Sequence, residues 1–176
     1  MFMRDRLLAV TSVLVVACGA ALAESPDLGR AASPEEIASW DISIGPDGAG
    51  LPPGSGTPGQ GVTVYVAKCL ACHGEKGAGK PNDQLVGGHG TLGAGQVPVR
   101  TVGSFWPYAT TLFDYVRRAM PLNESKSLTS DETYAVVAYI LQLNEVIGEN
   151  DTINAQTLPA VRMPNRDGFV RFSREK

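Results

Sequence analysis

Two cysteines and a histidine stand together in the chain, in the sequence CLACH at positions 69–73. Two thiols three positions apart can add to the two vinyl groups of a haem, and the adjacent histidine can then reach the iron from one face. The spacing therefore predicts one haem c, attached covalently at Cys69 and Cys72, with His73 as an iron ligand.

A Cys-x-x-Cys pair also occurs in redox-active disulfides and in zinc sites. The redox motif usually accompanies a βαβ pattern, which this sequence lacks. A zinc site needs two further ligands, and His89 is the only cysteine or histidine that remains after the motif and Cys18 are set aside. Haem attachment is therefore the favoured interpretation.

The second axial position of the iron has three candidate ligands, Met120, His89 and Met163, and an open position is the fourth possibility. Met120 ends a predicted helix and precedes Pro121, so it falls on a loop that can fold over the far face of a haem. A His/Met pair favours the ferrous state and fills both axial positions. Such a site is typical of an electron carrier.

The chain begins with the pattern of an export signal. Arg4 and Arg6 precede an apolar run, and the sequence ALA at 21–23 forms a small-x-small cleavage site. We expect cleavage after Ala23 and a periplasmic protein. A second interpretation is lipoprotein processing at Cys18, which would attach the protein to a membrane.

Composition limits the remaining possibilities. The 176 residues carry 15 Lys and Arg against 18 Asp and Glu, a net charge of −3, and like charges never run beyond two in a row. A nucleic-acid-binding role is therefore excluded. Hydrophobic residues make up 43% of the chain, which suits one packed domain with tails.

Apolar periodicity predicts an all-α protein in which helices and Gly/Pro-rich loops surround the haem. The predicted helices are a short one from Pro34 with Ser33 as its cap, one with Val62, Tyr65, Val66 and Cys69 on a shared face, one over 110–120 that buries Leu112, Phe113 and Val116, and one over 130–143 that buries Tyr134, Val137 and Ile140. Thr129 and Glu132 form a capping box before the last helix.

The chain divides into four predicted parts: a signal peptide (1–23), an N-terminal extension with a Gly/Pro-rich loop (24–61), a cytochrome core (62–145) and a tail packed on that core (146–176). Residues 45–61 contain seven Gly and four Pro, a composition that predicts a loop. A flexible linker and an ordered loop against the domain are both compatible with it.

The run TVGSFWPYATTLFDYVRRAMP at 101–121 resembles the monohaem cytochrome c domain that partners periplasmic molybdenum sulfite and sulfane dehydrogenases, above all the cytochrome subunit of the Sox sulfane dehydrogenase. Segments at 45–57, 83–88 and 163–169 are similar to the same family. The resemblance covers residues 37–170, although the chain has one haem motif where some of these cytochromes carry a second haem domain.

The resemblance implies the class I cytochrome c fold, Met120 as the distal ligand and a molybdenum sulfur dehydrogenase as electron donor, with a downstream cytochrome or oxidase as acceptor. It also implies that the Pro81 carbonyl holds the other ring nitrogen of His73. Trp106 and Tyr108 have polar groups that suit a haem propionate, with core packing as the alternative.

The predicted function is that of a periplasmic electron carrier for sulfur oxidation. A general shuttle to a terminal oxidase is one alternative, and a haem enzyme that acts directly on a sulfur compound is another. Arg100, Arg117 and Arg118 are candidates for a positive rim that steers an acidic partner, with solvated helix charges as the alternative.

Overall fold

The computed structural model describes residues 28–93 and 95–170. The predicted signal peptide, Cys18 and the charged run at 171–176 lie outside the described residues. The described chain divides after Ile37 into two compact units. Within the described part, no helix is both long and apolar enough to cross a membrane.

Helix α1 spans Pro34–Trp40 and buries none of its residues. Ser33 caps it: the Ser33 hydroxyl accepts a hydrogen bond from the Glu36 amide at 3.2 Å, and the Ser33 amide donates to the Glu36 carboxylate at 2.8 Å. The predicted start at Pro34 is therefore confirmed. The reason is local, since both groups of the cap lie within one turn.

The larger unit contains the remaining helices and two very short strands. These are β1 (Ser55–Gly56), α2 (Pro58–Lys68), α3 (Leu70–His73), a 3₁₀ turn (Glu75–Gly77), α4 (Ala109–Ala119), α5 (Ser130–Leu143), β2 (Ile153–Asn154) and a second 3₁₀ turn (Leu158–Ala160). The strands pair antiparallel, with Ser55 opposite Asn154 and Gly56 opposite Ile153. Apart from this short strand pair the described elements are helical, so the predicted all-α class is confirmed.

The Gly/Pro-rich loop ends earlier than the sequence predicted. Thr57 and Gln60 form a capping box, in which the Gln60 amide donates to the Thr57 hydroxyl at 3.3 Å and the Gln60 side chain accepts from the Thr57 amide at 2.9 Å. Pro58 occupies the first turn, where a missing amide proton costs nothing. Residues 58–61 are therefore helical.

The preceding loop is tied to helices α4 and α5 by side chains. The Thr110 hydroxyl donates to the Pro46 carbonyl at 3.1 Å, and the Tyr134 hydroxyl donates to the Pro52 carbonyl at 2.8 Å. The Ser55 amide donates to the carboxylate of Asp131 at 2.8 Å. These bonds make 46–55 an ordered loop rather than a flexible linker.

Helices α2 and α5 cross at small residues. A Cβ added to Gly61 would collide with the Ala135 carbonyl oxygen, and one added to Gly56 would collide with the Ala135 backbone. The buried residues of α2 are therefore Pro58, Gly61 and Tyr65, and the backbones approach closely.

The predicted shared face of α2 was accordingly wrong in part. Val62 is 41% exposed and Val66 is 57% exposed, whereas Tyr65 is buried. The contact with α5 is made at Gly61 instead, and a glycine gives no signal in a pattern of apolar residues.

The other predicted helices are confirmed. Helix α4 ends at Ala119, before Pro121, and helix α5 begins at Ser130, directly after its N-cap Thr129 in the predicted capping box. Their predicted apolar positions are all buried: Leu112, Phe113, Val116, Tyr134, Val137 and Ile140. The Phe113 and Tyr134 rings lie 4.4 Å apart between their centroids and join the two helices in one core.

Replacing Gly61 with alanine should destabilise the fold because the new methyl group cannot fit against the Ala135 carbonyl. We expect a loss of about 1–3 kcal/mol in the free energy of unfolding, measured by denaturant titration. Gly59→Ala is the matched control, since no atom lies within 4 Å of its added Cβ. The control should be neutral or slightly stabilising, and equal stability of the two variants would contradict the close crossing.

Candidate haem site

A cavity of about 540 Å³ opens in the larger unit, within the range of about 300–1,000 Å³ that is typical of cofactor pockets. Its walls come from the haem motif, the loop after it, the segment before α4, and helices α4 and α5. The apolar lining includes Leu85, Val102, Leu112, Val116, Val136 and Ile140. Predicted site residues on the lining are Cys69, Cys72, His73, Pro81, Trp106 and Met120.

The haem motif is held by the end of α2. Cys69 caps the end of α2 and begins α3, and the Cys69 amide donates to the Tyr65 carbonyl at 2.8 Å. The Tyr65 hydroxyl donates in turn to the Gly74 carbonyl at 2.8 Å, just after the motif. Tyr65 therefore ties both ends of the motif to the buried face of α2.

Cys69 and Cys72 are not joined to each other by a disulfide. Burial, with a smaller contribution from Cys72, raises the pKa of the Cys69 thiol to about 11. Reactive cysteines of redox-active Cys-x-x-Cys pairs have lowered pKa values instead. The environment of Cys69 is therefore unlike that of a redox disulfide and suits an uncharged thioether.

His73 is oriented by a backbone carbonyl. Its Nδ1 atom lies 2.8 Å from the carbonyl oxygen of Asp83. Because a carbonyl can only accept, Nδ1 carries the proton and Nε2 keeps its lone pair for a metal.

The prediction that the Pro81 carbonyl holds this ring nitrogen of His73 was wrong. The Asn82 amide donates to the Cys72 carbonyl at 2.9 Å, and this turn brings the Asp83 carbonyl to the imidazole. Pro81 lies on the cavity wall.

The three candidates for the second axial ligand lie in different places. Met120 follows α4 and lines the cavity. His89 is exposed, and its Nε2 atom lies beside Gly103, outside the cavity lining. Met163 is 1% exposed and is not part of the lining either. Only Met120 of the three is brought to the cavity with His73.

Of the two aromatic residues considered for contact with a haem propionate, only Trp106 lies on the cavity. Trp106 lines the cavity and packs edge-on against Tyr115, with 5.7 Å between the ring centroids. Tyr108 does not line the cavity, because the guanidinium of Arg166 lies 4.3 Å from its ring centroid and holds it against the C-terminal segment. The predicted contact of Tyr108 with a propionate therefore has no support in the structure.

Two of the three arginines that were candidates for a positive rim make contacts away from the cavity. Arg118 forms an ion pair with Asp114, and the Arg117 guanidinium donates to the Ile42 carbonyl at 3.4 Å. Arg100 alone of the three lines the cavity, and its guanidinium lies 5.5 Å from the Phe105 ring centroid.

Polar residues behind the cavity were missed by sequence reasoning. The Thr101 hydroxyl donates to the Gly87 carbonyl, and the Ser104 hydroxyl donates to the Val99 carbonyl at 2.6 Å. Asn144 is buried and bonds to the same loop. Small polar residues give no periodic signal, although an asparagine directly after a helix is a common cap.

The residues present fit a c-type haem. Two cysteine side chains, an imidazole with an available Nε2 and a thioether meet on one largely apolar cavity. The cysteines suit covalent attachment of the haem, and imidazole and thioether groups are iron ligands that cytochromes c use. Among the described residues, no three His, Cys, Asp or Glu side chains are grouped to hold a metal ion.

Comparison with known proteins agrees with this geometry. The family model described as cytochrome C oxidase, cbb3-type, subunit III matches residues 56–140. A chain in the crystal structure of the sulfane dehydrogenase SoxCD from Paracoccus pantotrophus is 39% identical, with a TM-score of 0.76. That match covers 83% of this chain and 72% of the SoxCD chain. No curated protein gives a significant match.

The chain belongs to the class I c-type cytochromes. Membership of this family implies a covalently bound haem c and a role in electron transfer.

Tyr65→Phe tests the tie between α2 and the haem motif. Burial raises the pKa of Tyr65 from 10.0 to about 12, so the unfolded chain loses this proton before the folded chain does. The stability of the wild-type protein should therefore fall between pH 10 and pH 12, by about 1–2 kcal/mol. Denaturant titrations across this range should show a flatter pH dependence in Tyr65→Phe.

The same variant should lose about 1 kcal/mol at pH 7, because the Gly74 carbonyl loses its hydrogen-bond donor. Tyr139→Phe is the matched control, since it keeps the edge-on ring contact with Tyr65. An unchanged pH dependence in Tyr65→Phe would contradict the assigned role.

Proposed function

We propose that this protein is a periplasmic monohaem cytochrome that accepts electrons one at a time from a molybdenum-containing sulfur dehydrogenase and passes them to downstream carriers. The observation that carries the proposal is the meeting of Cys69, Cys72, His73 and Met120 on one cavity. The similarity to a chain of the sulfane dehydrogenase SoxCD supports the nature of the donor.

Each of the four residues has a distinct task. Cys69 and Cys72 hold the haem as thioethers, and α3 fixes their spacing. His73 supplies Nε2 on one side, in the tautomer set by the Asp83 carbonyl. Met120 supplies a thioether on the other side, from the turn that Pro121 forces after α4.

The bound haem supplies a one-electron couple between ferric and ferrous iron. The apolar walls exclude water, and the soft thioether of Met120 favours the lower charge on the metal. A haem iron held by both His73 and Met120 would have no open site for a substrate. These features support electron transfer rather than catalysis on this chain.

The donor must deliver its electrons to this protein one at a time. Oxidation of sulfur at a molybdenum centre removes two electrons, whereas a single haem accepts one at a time. A carrier with one haem therefore takes two turns for each sulfur oxidised. The single haem motif of the chain supports this stoichiometry.

A second candidate function is a shuttle to a terminal oxidase with a different donor. The match of residues 56–140 to a family described as a subunit of cytochrome c oxidase supports it. The two functions share the same site and differ in which protein delivers the electrons.

The proposed location follows from two features. The sequence before residue 24 has the pattern of a cleaved export signal. A Cys-x-x-Cys-His motif acquires its haem outside the cytoplasm, so attachment of the haem requires export. A mature N-terminus at Glu24 would support this location, and an acylated Cys18 would place the protein on a membrane instead.

Reduction assays test the proposed donor. The oxidised, haem-loaded protein should stay oxidised with sulfite or thiosulfate alone and become reduced rapidly when a catalytic amount of the molybdenum dehydrogenase from the same source is added. Visible absorption follows the reaction. Rapid, saturable reduction without the dehydrogenase would instead favour direct catalysis, and failure with both would contradict the assigned donor.

Met120→Ala tests the distal ligand. Loss of the thioether should abolish the weak far-red absorption band of the oxidised protein, lower the reduction potential and open the iron to cyanide. Met163→Leu is the matched control, because it changes a buried methionine away from the cavity. Retention of the far-red band in Met120→Ala would show that another residue binds the iron.

A further inference from the structure

Asn144 lies directly after α5, and its side chain is buried, with 1% of the residue exposed. Its Oδ1 atom accepts a hydrogen bond from the Gly87 amide at 3.0 Å. Its Nδ2 atom donates to the Leu85 carbonyl at 3.1 Å and to the Ile140 carbonyl at 2.9 Å. One amide therefore joins the end of α5 to the loop at 85–87.

Two of the three hydrogen bonds of the Asn144 side chain do not serve to cap helix α5. The bond to Ile140 satisfies a carbonyl in the last turn of α5, as a capping side chain does. The bonds to Leu85 and Gly87 instead fix a loop nearly 60 positions earlier in the chain. Without Asn144, the partly buried amide of Gly87 loses its hydrogen-bond acceptor.

The loop held by Asn144 leads to the haem motif. Leu85 lines the cavity, and its amide donates to the Gly77 carbonyl at 2.9 Å. Its carbonyl also accepts from the Val102 amide at 3.2 Å. Two positions before Leu85, the Asp83 carbonyl accepts the hydrogen bond of His73 Nδ1.

Residues 81–84 are exposed, so packing does little to hold them. The segment is held at its two ends, by the bond from the Asn82 amide to the Cys72 carbonyl and by the anchored Leu85. The position of the Asp83 carbonyl therefore depends on how firmly Leu85 is held.

We propose that Asn144 is a positioning residue for the haem iron: it anchors Leu85 and Gly87 and thereby keeps the Asp83 carbonyl against Nδ1 of His73. The inference rests on the proposed function, because it takes His73 as the proximal ligand. A hydrogen bond from Nδ1 to a carbonyl fixes the imidazole tautomer and makes Nε2 a stronger donor to the metal. Loosening that bond should make the ferrous state more favourable.

Gly103 offers a second way to disturb the same amide. A Cβ added at Gly103 would collide with Asn144 Oδ1 and would lie 2.8 Å from Nε2 of His89. Gly103→Ala therefore displaces the Asn144 side chain without removing it. Asn144→Asp provides a third perturbation, since a carboxylate keeps the acceptor for Gly87 but loses both donors.

The experiment compares haem-loaded Asn144→Leu, Asn144→Asp and Gly103→Ala with Tyr134→Phe. The control removes a hydrogen bond from α5 to the Pro52 carbonyl, away from the cavity. Nuclear magnetic resonance of the reduced protein gives the exchange rate of the His73 Nδ1 proton, and redox titration gives the midpoint potential.

We expect exchange of the Nδ1 proton to become about tenfold faster or more in the three test variants, as local opening becomes easier. The midpoint potential should rise in Asn144→Leu and Gly103→Ala, which add no charge near the iron, and Tyr134→Phe should match the wild type in both measurements. If Asn144→Leu does not fold, Gly103→Ala and Asn144→Asp decide the result.

Wild-type exchange rates and potentials in the test variants would overturn the proposal and leave Asn144 as a core residue. Failure of the haem assignment, on which the proposed function rests, has a different signature: no haem would remain bound to the wild-type chain after denaturation. The two failures are therefore separated by one measurement on the wild-type protein.

Discussion

The close crossing of α2 and α5 is the constraint on which the haem site depends. Gly61 allows the two backbones to meet at Ala135, and any larger residue would push them apart. The crossing buries Tyr65, whose hydroxyl binds the Gly74 carbonyl after the haem motif. The position of Cys69, Cys72 and His73 therefore depends on a contact between backbones near the start of α2.

The cavity is enclosed by apolar side chains of helices and by loops that are held by hydrogen bonds. Apolar side chains of α4 and α5 line the cavity, and burial raises the pKa of the Cys69 thiol beside it. The loops around the cavity are held by hydrogen bonds, because short segments rich in glycine cannot bury enough apolar surface to hold themselves. A rigid core and bonded loops together keep the ligands in place during electron transfer.

The sequence predicted those parts of the fold that are determined locally. The capping box of Thr129 and Glu132 and the stop at Pro121 gave the ends of α4 and α5, since each acts within one turn. The buried face of α2 was partly wrong because its central contact is a glycine. The prediction that the Pro81 carbonyl binds His73 was wrong. The turn after Cys72 decides which carbonyl reaches the imidazole, and the spacing of residues in the sequence does not reveal the geometry of that turn.

The central claim is that His73 and Met120 bind one iron from opposite sides. The most direct measurement is the proton spectrum of the reduced protein with its methionine methyl groups labelled. The account predicts one methyl resonance shifted far upfield by the haem ring and assigned to Met120. No such resonance, or its assignment to Met163, would contradict the account.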